Sequence, residues 1–522
     1  MSRPGGLLAR PALDLAFVAA LGAAHTLAFV HTQFWFAHFA AVSLLAWRVS
    51  GATPRRAAAL GLAFGTSWLA AGTWWLFVSL HRYGGLPAWI AVLAVVALST
   101  ALALYLAAAM AAVARWRGVG WGRGVGLFAA GWLLAELARA QIFTGFPWLA
   151  SGYAYVDSPV AGFAPWLGVY GMGALVATGA AAMGFAWGRP RRLLGAAAAS
   201  AAVLLVGWLA GQVDFTRPTG SISVSLLQGN VPQDEKFSAR FVPDALAGTA
   251  AQLDAARGQL VVGPETVIPL LPRQLDPAYL GRIAERFRVP GRAALVGIPL
   301  GDEEAGYSNS ALGVSAEAAA QPGGFYRYDK HHLVPFGEFI PFGFKWFTRL
   351  MNIPLGDFNR GPMTAPSFAF AGERVAPNIC YEDLFGEELA ARFVPEAVAP
   401  TILANLSNIG WFGQTIAVPQ HLNISRLRTL ELQRPMLRAT NTGATAVVDH
   451  RGVVTASLAP FSRGILEARV EGRDGLTPFA QWAGRFGLWP LWALGIGALL
   501  LLRRRARRSI GAPVRSGARR PP

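Results

Sequence analysis

The chain has 522 residues, 53% hydrophobic and only 14% charged, with 46 Lys+Arg against 29 Asp+Glu and a formal net charge of +17. A soluble domain carries about a quarter charged residues, so this composition excludes a disordered chain and argues against an ordinary cytosolic protein. The positive charge is not a nucleic-acid footprint, because residues 214–474 hold 24 bases and 26 acids, and the excess sits in the apolar remainder and its short loops, where it reads as membrane topology.

Apolar runs of near-helical length are predicted at 11–29, 33–47, 57–79, 87–114, 124–142, 164–187 and 193–211, and once more at 486–502. Most approach the roughly 20 residues that cross a bilayer; the second is shorter. No clear cleavage site follows the first run and further spans do, so it is expected to be retained rather than removed as a signal peptide. Eight spans put both termini on one side, and arginines indicate which side. Arg3 and Arg10, Arg48, Arg55 and Arg56, Arg115, Arg117 and Arg123, and Arg189, Arg191 and Arg192 fall in alternate loops, joined by the tail from Arg503 to Arg508. The opposite short loops hold little beyond Arg82. Both termini are therefore expected in the cytoplasm. The predicted organisation is 1–212 as transmembrane helices one to seven, 213–480 as an external catalytic domain, and 481–522 as helix eight with a basic tail. Glu136 and Arg139, three apart on the fifth span, read as an intramembrane pair near the outer interface. Glycines inside the spans read as helix packing rather than nucleotide sites.

The external segment reads as α/β. SISVSLLQ (221–228), QLVVG (259–263), AALVGI (293–298), RVAPNI (374–379), TILANL (401–406) and TAVVDH (445–450) are short, apolar and partly β-branched, as strands are. Helical stretches lie between them, near 238–257, 276–288 and 419–433, and that alternation predicts a layered α/β fold.

Three places join a strand end to an unusual polar residue. Glu265 follows QLVVG-Pro264; alone, it reads as a solvated turn carboxylate. Lys330 opens KHHLVPFGEFIP and is one of only three lysines, with Lys236 and Lys345, among 46 basic residues; alone, it reads as a surface lysine. Cys380 ends RVAPNI and is the only cysteine, so an intramolecular disulfide is excluded and a lone thiol reads first as a buried hydrophobe. Together the three make coherent chemistry: a carboxylate takes the thiol proton, sulfur attacks a carbonyl, and a cation stabilises the oxyanion. The eight histidines show no metal-ligand spacing, and His331 and His332 would point apart on a strand, so no metal is expected.

The order Glu265, Lys330, Cys380 resembles the nitrilase (carbon–nitrogen hydrolase) superfamily. Gln228-Gly229-Asn230-Val231-Pro232-Gln233, the KHHLVPFGEFIP run, Ile379-Cys380-Tyr381-Glu382-Asp383-Leu384-Phe385 and, within the spans, Phe143-Thr144-Gly145-Phe146-Pro147-Trp148 extend the resemblance to the apolipoprotein N-acyltransferase family over nearly the whole chain. One departure is Ile409, where the family usually has Asp. The resemblance implies a multi-span α-helical membrane domain joined to an αββα sandwich in the bacterial inner membrane. It implies Glu265 as general base, Lys330 as oxyanion stabiliser that also lowers the thiol pKa, and Cys380 as nucleophile, with Glu338, Tyr381, Glu382 and Trp148 shaping the pocket or supporting these three. It also implies a phospholipid acyl donor (phosphatidylethanolamine), a diacylated apolipoprotein acceptor, a thioester intermediate, and no cofactor or nucleic-acid partner. PFGEFIPFGFKWF (335–347) is expected to form an aromatic, membrane-dipping arm. Two other readings compete: a membrane-anchored amidase, which leaves seven leading spans and FTGFPW unexplained, and a transporter, for which the spans hold too few charges.

Overall fold

The computed structural model describes residues 10–118, 120–341 and 357–510. The segment read as an aromatic arm lies outside the described residues from 342 onward. Among the described residues seven long helices fill the first part: α1 (Pro11–Ala24), α2 (Trp35–Ser50), α3 (Pro54–Gly72), α4 (Ala88–Trp116), α5 (Trp121–Gln141), α6 (Ala164–Ala186) and α7 (Pro190–Ala210). Proline opens α1, α3 and α7, where its missing N–H would have had no helical partner. Among the described residues five helical segments are long and apolar enough to cross a bilayer: Pro11–Val30, Ala88–Trp116, Trp121–Thr144, Pro159–Ala186 and Pro190–Ala210. A sixth is added if Pro478–Phe486 and Trp489–Arg503, which meet at 87°, count as one bent span. The runs expected at 33–47 and 57–79 are the helices α2 and α3. They fall short of that measure because α2 has only 16 residues and the 19-residue α3 includes Arg55 and Arg56 in its first turn. Small residues let these helices approach: a Cβ at Gly22 would lie 2.3 Å from the carbonyl oxygen of Phe64. On α7, Leu194, Leu205 and Trp208 point outward and exposed, as a lipid-facing surface requires.

The second part is two six-stranded sheets face to face. The strands are β1 (Arg217–Gln228), β2 (Leu260–Val262), β3 (Ala293–Asp302), β4 (Gly306–Ser315), β5 (Tyr326–Asp329), β6 (Phe368–Phe370), β7 (Glu373–Ile379), β8 (Ile402–Ser407), β9 (Met436–Thr440), β10 (Ala446–Val448), β11 (Val454–Ser457) and β12 (Gly464–Asp474). The first sheet runs β12-β1-β2-β3-β4-β5 and the second β11-β10-β9-β8-β7-β6. The central strands of each sheet, β1-β2-β3 and β7-β8-β9, are parallel. Both faces of these strands are covered, so most of their residues are buried whichever way they point. Val224, Leu226, Val262 and Leu295 of one sheet meet Val375, Ile379, Leu406 and Leu437 of the other in a shared core. Outside the first sheet pack α8 (Val242–Ala255) and α9 (Pro277–Phe287), through Leu253, Ile283 and Phe287. Outside the second pack α10 (Ala417–Leu432) and α11 (Pro478–Phe486), the latter through Phe479, Ala480 and Ala483. The order helix, sheet, sheet, helix is the expected αββα sandwich. The last helix, α12 (Trp489–Ile510), returns to pack on α5.

The helix α10 joins the two parts. Its Ile424 and Leu427 share a core with the first seven helices, and its polar residues are partnered inside that interface. Gln420 accepts from the indole N–H groups of Trp75 (3.1 Å) and Trp148 (2.9 Å) and donates to the Gly72 carbonyl at 3.0 Å. Asn423 donates to the Phe29 carbonyl, and Glu431 accepts from the Val169 N–H at 2.7 Å. A helix buried all round has little amphipathicity, and its polar groups survive only where each is paired.

Candidate active site

Glu265 follows directly after the Gly263-Pro264 break that ends β2. Its Oε1 accepts from Asn309 Nδ2 at 2.8 Å and its Oε2 from the Asn408 N–H at 2.9 Å. Lys330 follows β5 and is 1% exposed. Its Nζ lies 2.9 Å from Glu338 Oε1 and 3.5 Å from Glu265 Oε1. Asn309, on β4, also donates to Glu338 Oε1 at 2.7 Å, so one amide bridges the two carboxylates that share the lysine. Burial pulls the Lys330 pKa down, but Glu338 and Glu265 outweigh it and hold the ammonium well above its ordinary range. Lys330 is a fixed cation here, with two directions committed to carboxylates and a third N–H to offer.

Cys380 stands at the exit of β7, where the strand gives way to a 3₁₀ turn, Cys380–Leu384. Its φ is +52°, a left-handed conformation unusual for a residue with a Cβ. Such strain persists only where surrounding contacts impose it, and Glu382 supplies them. Its carboxylate accepts from the Ile379 N–H at 2.6 Å, from His331 and His332 N–H at 2.6 and 3.2 Å, and from the Tyr328 hydroxyl at 2.8 and 2.9 Å. One buried side chain thus ties the strand that delivers Cys380 to the strand and loop that deliver Lys330. Burial pushes the Cys380 thiol up to about 12; Glu265 adds to the rise, and Lys330 opposes it. Lys330 lowers the thiol pKa as expected, but burial and the neighbouring carboxylate outweigh it. The thiol keeps its proton until a base takes it.

Beneath Cys380 lies a second polar layer that the sequence reading missed. The Cys380 carbonyl accepts from Asn405 Nδ2 at 3.2 Å and lies 3.3 Å from His421 Nε2. Arg438 donates to His421 Nδ1 at 2.7 Å, which leaves Nε2 as the protonated nitrogen, 2.8 Å from Asp383 Oδ1. Burial alone would raise the Asp383 carboxyl, but His421 and Arg438 hold it below the ordinary carboxylate range. Trp148 stacks on His421 with ring centres 5.4 Å apart, so FTGFPW of the membrane part reaches the layer under the cysteine rather than the cysteine itself. The same motif starts with three consecutive left-handed residues, Phe143, Thr144 and Gly145. The Gly145 carbonyl accepts from the Tyr381 hydroxyl at 3.1 Å, and the Thr144 carbonyl lies 3.2 Å from His332 Nε2. Tyr381 therefore anchors the membrane turn.

His331 and His332 lie in the loop after β5, not on a strand. His331 Nδ1 is 2.7 Å from the Gly361 carbonyl and His332 Nδ1 2.9 Å from Glu388. No cluster of metal-ligating residues occurs among the described residues. Glu136 and Arg139 are the expected pair, 3.7 Å apart and buried. Ile409, at the departure position, is 1% exposed within the core that joins the two parts, so this position packs, while the preceding Asn408 N–H holds Glu265.

Residues 21–182 match the model of the apolipoprotein N-acyltransferase N-terminal domain, and residues 224–474 match the carbon–nitrogen hydrolase model. An apolipoprotein N-acyltransferase of Verminephrobacter eiseniae is 50% identical over 503 residues, covering 91% of this chain and 93% of the relative. One from Ralstonia nicotianae is 47% identical, covering 96% and 95%. A carbon–nitrogen hydrolase crystal structure from Helicobacter pylori is similar over 52% of this chain and 94% of that chain, at 17% identity and a TM-score of 0.36.

Proposed function

This chain belongs to the apolipoprotein N-acyltransferase family, and from that premise we propose that it moves an acyl chain from a membrane phospholipid to the N-terminal amine of a diacylated lipoprotein, with Glu265, Lys330 and Cys380 as the catalytic residues. The observation that carries the assignment is the Lys330 ammonium held between Glu265 and Glu338, beside a strained cysteine, in a domain docked onto membrane helices by α10. Glu265 takes the thiol proton, and Cys380 Sγ attacks the ester carbonyl of the phospholipid. Lys330 stabilises the tetrahedral oxyanion. As the ester C–O bond breaks, the lysophospholipid oxygen takes the proton from Glu265, leaving an acyl thioester on Cys380. The neutral α-amine of the acceptor then attacks the thioester. Glu265 receives its proton, the C–S bond breaks, and the thiolate recovers that proton from Glu265. Glu382, Tyr381 and the layer of Asp383, His421 and Arg438 hold the geometry and do not exchange protons with substrate.

Eight crossings with both termini in the cytoplasm, residues 213–480 outside, and phosphatidylethanolamine as donor complete the proposal. The arginine asymmetry supports the sidedness, and a site on the outer face would receive both lipid substrates laterally from one leaflet. The amidase alternative leaves unused the contacts of FTGFPW with Tyr381 and His421. Incubating the purified protein with phospholipid and a diacylated lipopeptide tests the reading: a triacylated lipopeptide is expected, and hydrolysis of small amides without lipopeptide acylation would overturn it.

A further inference from the structure

Lys236 is one of the chain's three lysines, and nothing above uses it. It lies in the loop between β1 and α8, is 4% exposed, and donates to the backbone carbonyl of Glu265 at 2.8 Å. The loop around it is built into the site: Gln233 accepts from Asn408 Nδ2 at 2.8 Å, and the Asn408 N–H holds Glu265. An ammonium has three donors and strong hydration, so burying it with one neutral carbonyl and, 5.8 Å away, the face of the Phe237 ring as its contacts is costly unless its charge is needed.

The charges around Cys380 show that need. Arg438, on β9, is matched by Asp383, with neutral His421 between them. Glu382, in the turn after Cys380, is met by three N–H groups and the Tyr328 hydroxyl. Glu265 and Glu338 remain, and Lys330 is a single cation for both. We propose that Lys236 is a positioning residue for acyl transfer, the second cation of the site, whose charge balances Glu265 before proton transfer and the Cys380 thiolate after it. Asp234, two residues before it, does not compete, since it faces outward to Arg82 in an exposed ion pair. Burial pulls the Lys236 pKa down to about 8, while Glu265 and Cys380 pull it up, so the ammonium persists at neutral pH because of the charges it serves.

This inference rests on Cys380 as the nucleophile, but its test needs no lipid. The full chain in detergent is treated with iodoacetamide from pH 6 to 7.5, where Lys236 keeps its charge, and the single cysteine is followed by intact mass. Lys236→Gln keeps a hydrogen-bond donor and removes the charge; Lys236→Arg keeps the charge. Losing a nearby opposite charge in a buried site shifts a pKa by about one unit or more, so Lys236→Gln should move the alkylation profile up by about one pH unit and slow it about tenfold at fixed pH. Lys236→Arg should stay within about threefold of wild type, and thioester formation from phospholipid should follow the same order. A Gln profile superimposed on wild type, or an Arg profile as shifted as Gln, overturns the proposal and makes Lys236 a space-filling residue. Where Lys236→Gln does not fold, the Arg variant decides: a wild-type profile supports the proposal and a shifted one overturns it. Failure of lipopeptide acylation with this alkylation pattern intact would strike the proposed function and not Lys236.

Discussion

Replacing Glu382 with glutamine keeps the shape of the side chain and removes one acceptor and the charge. In the structure Oε1 serves His331 and His332 N–H and Oε2 serves Ile379 N–H, with the Tyr328 hydroxyl between them. The glutamine oxygen will stay with the two-donor side, so its NH₂ faces the Ile379 N–H, donor against donor. One charge-assisted bond is lost and one buried N–H is left unpaired, about 1.5–3 kcal/mol for the first and 1–3 kcal/mol for the second, together about 2–4 kcal/mol after partial relaxation. The site is affected more than the fold. Ile379 is the residue before Cys380, and release of that anchor frees the strained φ that aims the sulfur. A displacement of about 1 Å costs on the order of 10² in rate. Thioester formation from phospholipid, timed by mass spectrometry, should slow about 100-fold, and the melting temperature should fall by several degrees. Tyr328→Phe removes only the hydroxyl and should cost far less. If Glu382→Gln acylates at the wild-type rate, or if Tyr328→Phe is equally damaged, the carboxylate does not set the geometry and the reasoning fails.

Lys330→Met should reduce thioester formation by about 10²–10³, and Glu265→Gln should block it, since the thiol is pushed up to about 12 and needs a base; an acyl adduct formed at the wild-type rate in either variant refutes that residue's role. Gln420→Leu strands the Trp148 indole N–H, while that of Trp75 keeps the Gly72 carbonyl, and should cost about 1–3 kcal/mol, seen as a lower melting temperature. Burial pulls the His421 pKa below its ordinary value, and His450 is lowered by the same cause. Each of these two groups therefore removes stability as the pH drops below about 6.5, by up to about 1.4 kcal/mol per pH unit, while Glu387 and Glu431, raised by burial to about 8 and about 7, act in the opposite direction; the unfolding free energy of His450→Gln should rise relative to wild type as the pH drops from 7 to 5, and an unchanged difference would contradict this.

The parts of the molecule that were legible are those where one residue pattern has one physical solution. Arginine-flanked apolar runs gave helices at each expected position, and uninterrupted apolar runs such as 259–263 and 293–298 gave the parallel strands buried on both faces. The strands that escaped notice are of another kind. β4, GYSNSALGVS, is rich in Ser and Asn, and its Asn309 earns its place only through a bridge to two carboxylates that sit 44 and 29 residues away. β12 alternates Leu466, Ala468 and Val470 with Glu467, Arg469 and Glu471 and is an edge strand whose partner, β1, lies over 230 residues earlier. Glu265, Lys330 and Cys380 could be singled out because each adjoins a strand end with a distinctive motif, whereas Glu338, in the loop beyond β5, came only with the family resemblance. Asp383, His421 and Arg438 were not, because an ordinary-looking helix and two strands bring them together only in three dimensions. The sign of the Cys380 shift was also out of reach, since burial, not the nearest charge, decides it.

The central claim is that Cys380 carries the acyl chain. The direct measurement is intact-mass analysis of the purified protein incubated with phosphatidylethanolamine and no acceptor. The account predicts a mass increase of one acyl group, localised to Cys380 by peptide mapping, absent in Cys380→Ala, and discharged when a diacylated lipopeptide is added. Triacylated lipopeptide formed at full rate by the Cys380→Ala variant, or turnover by wild type with no adduct at any time, would contradict it.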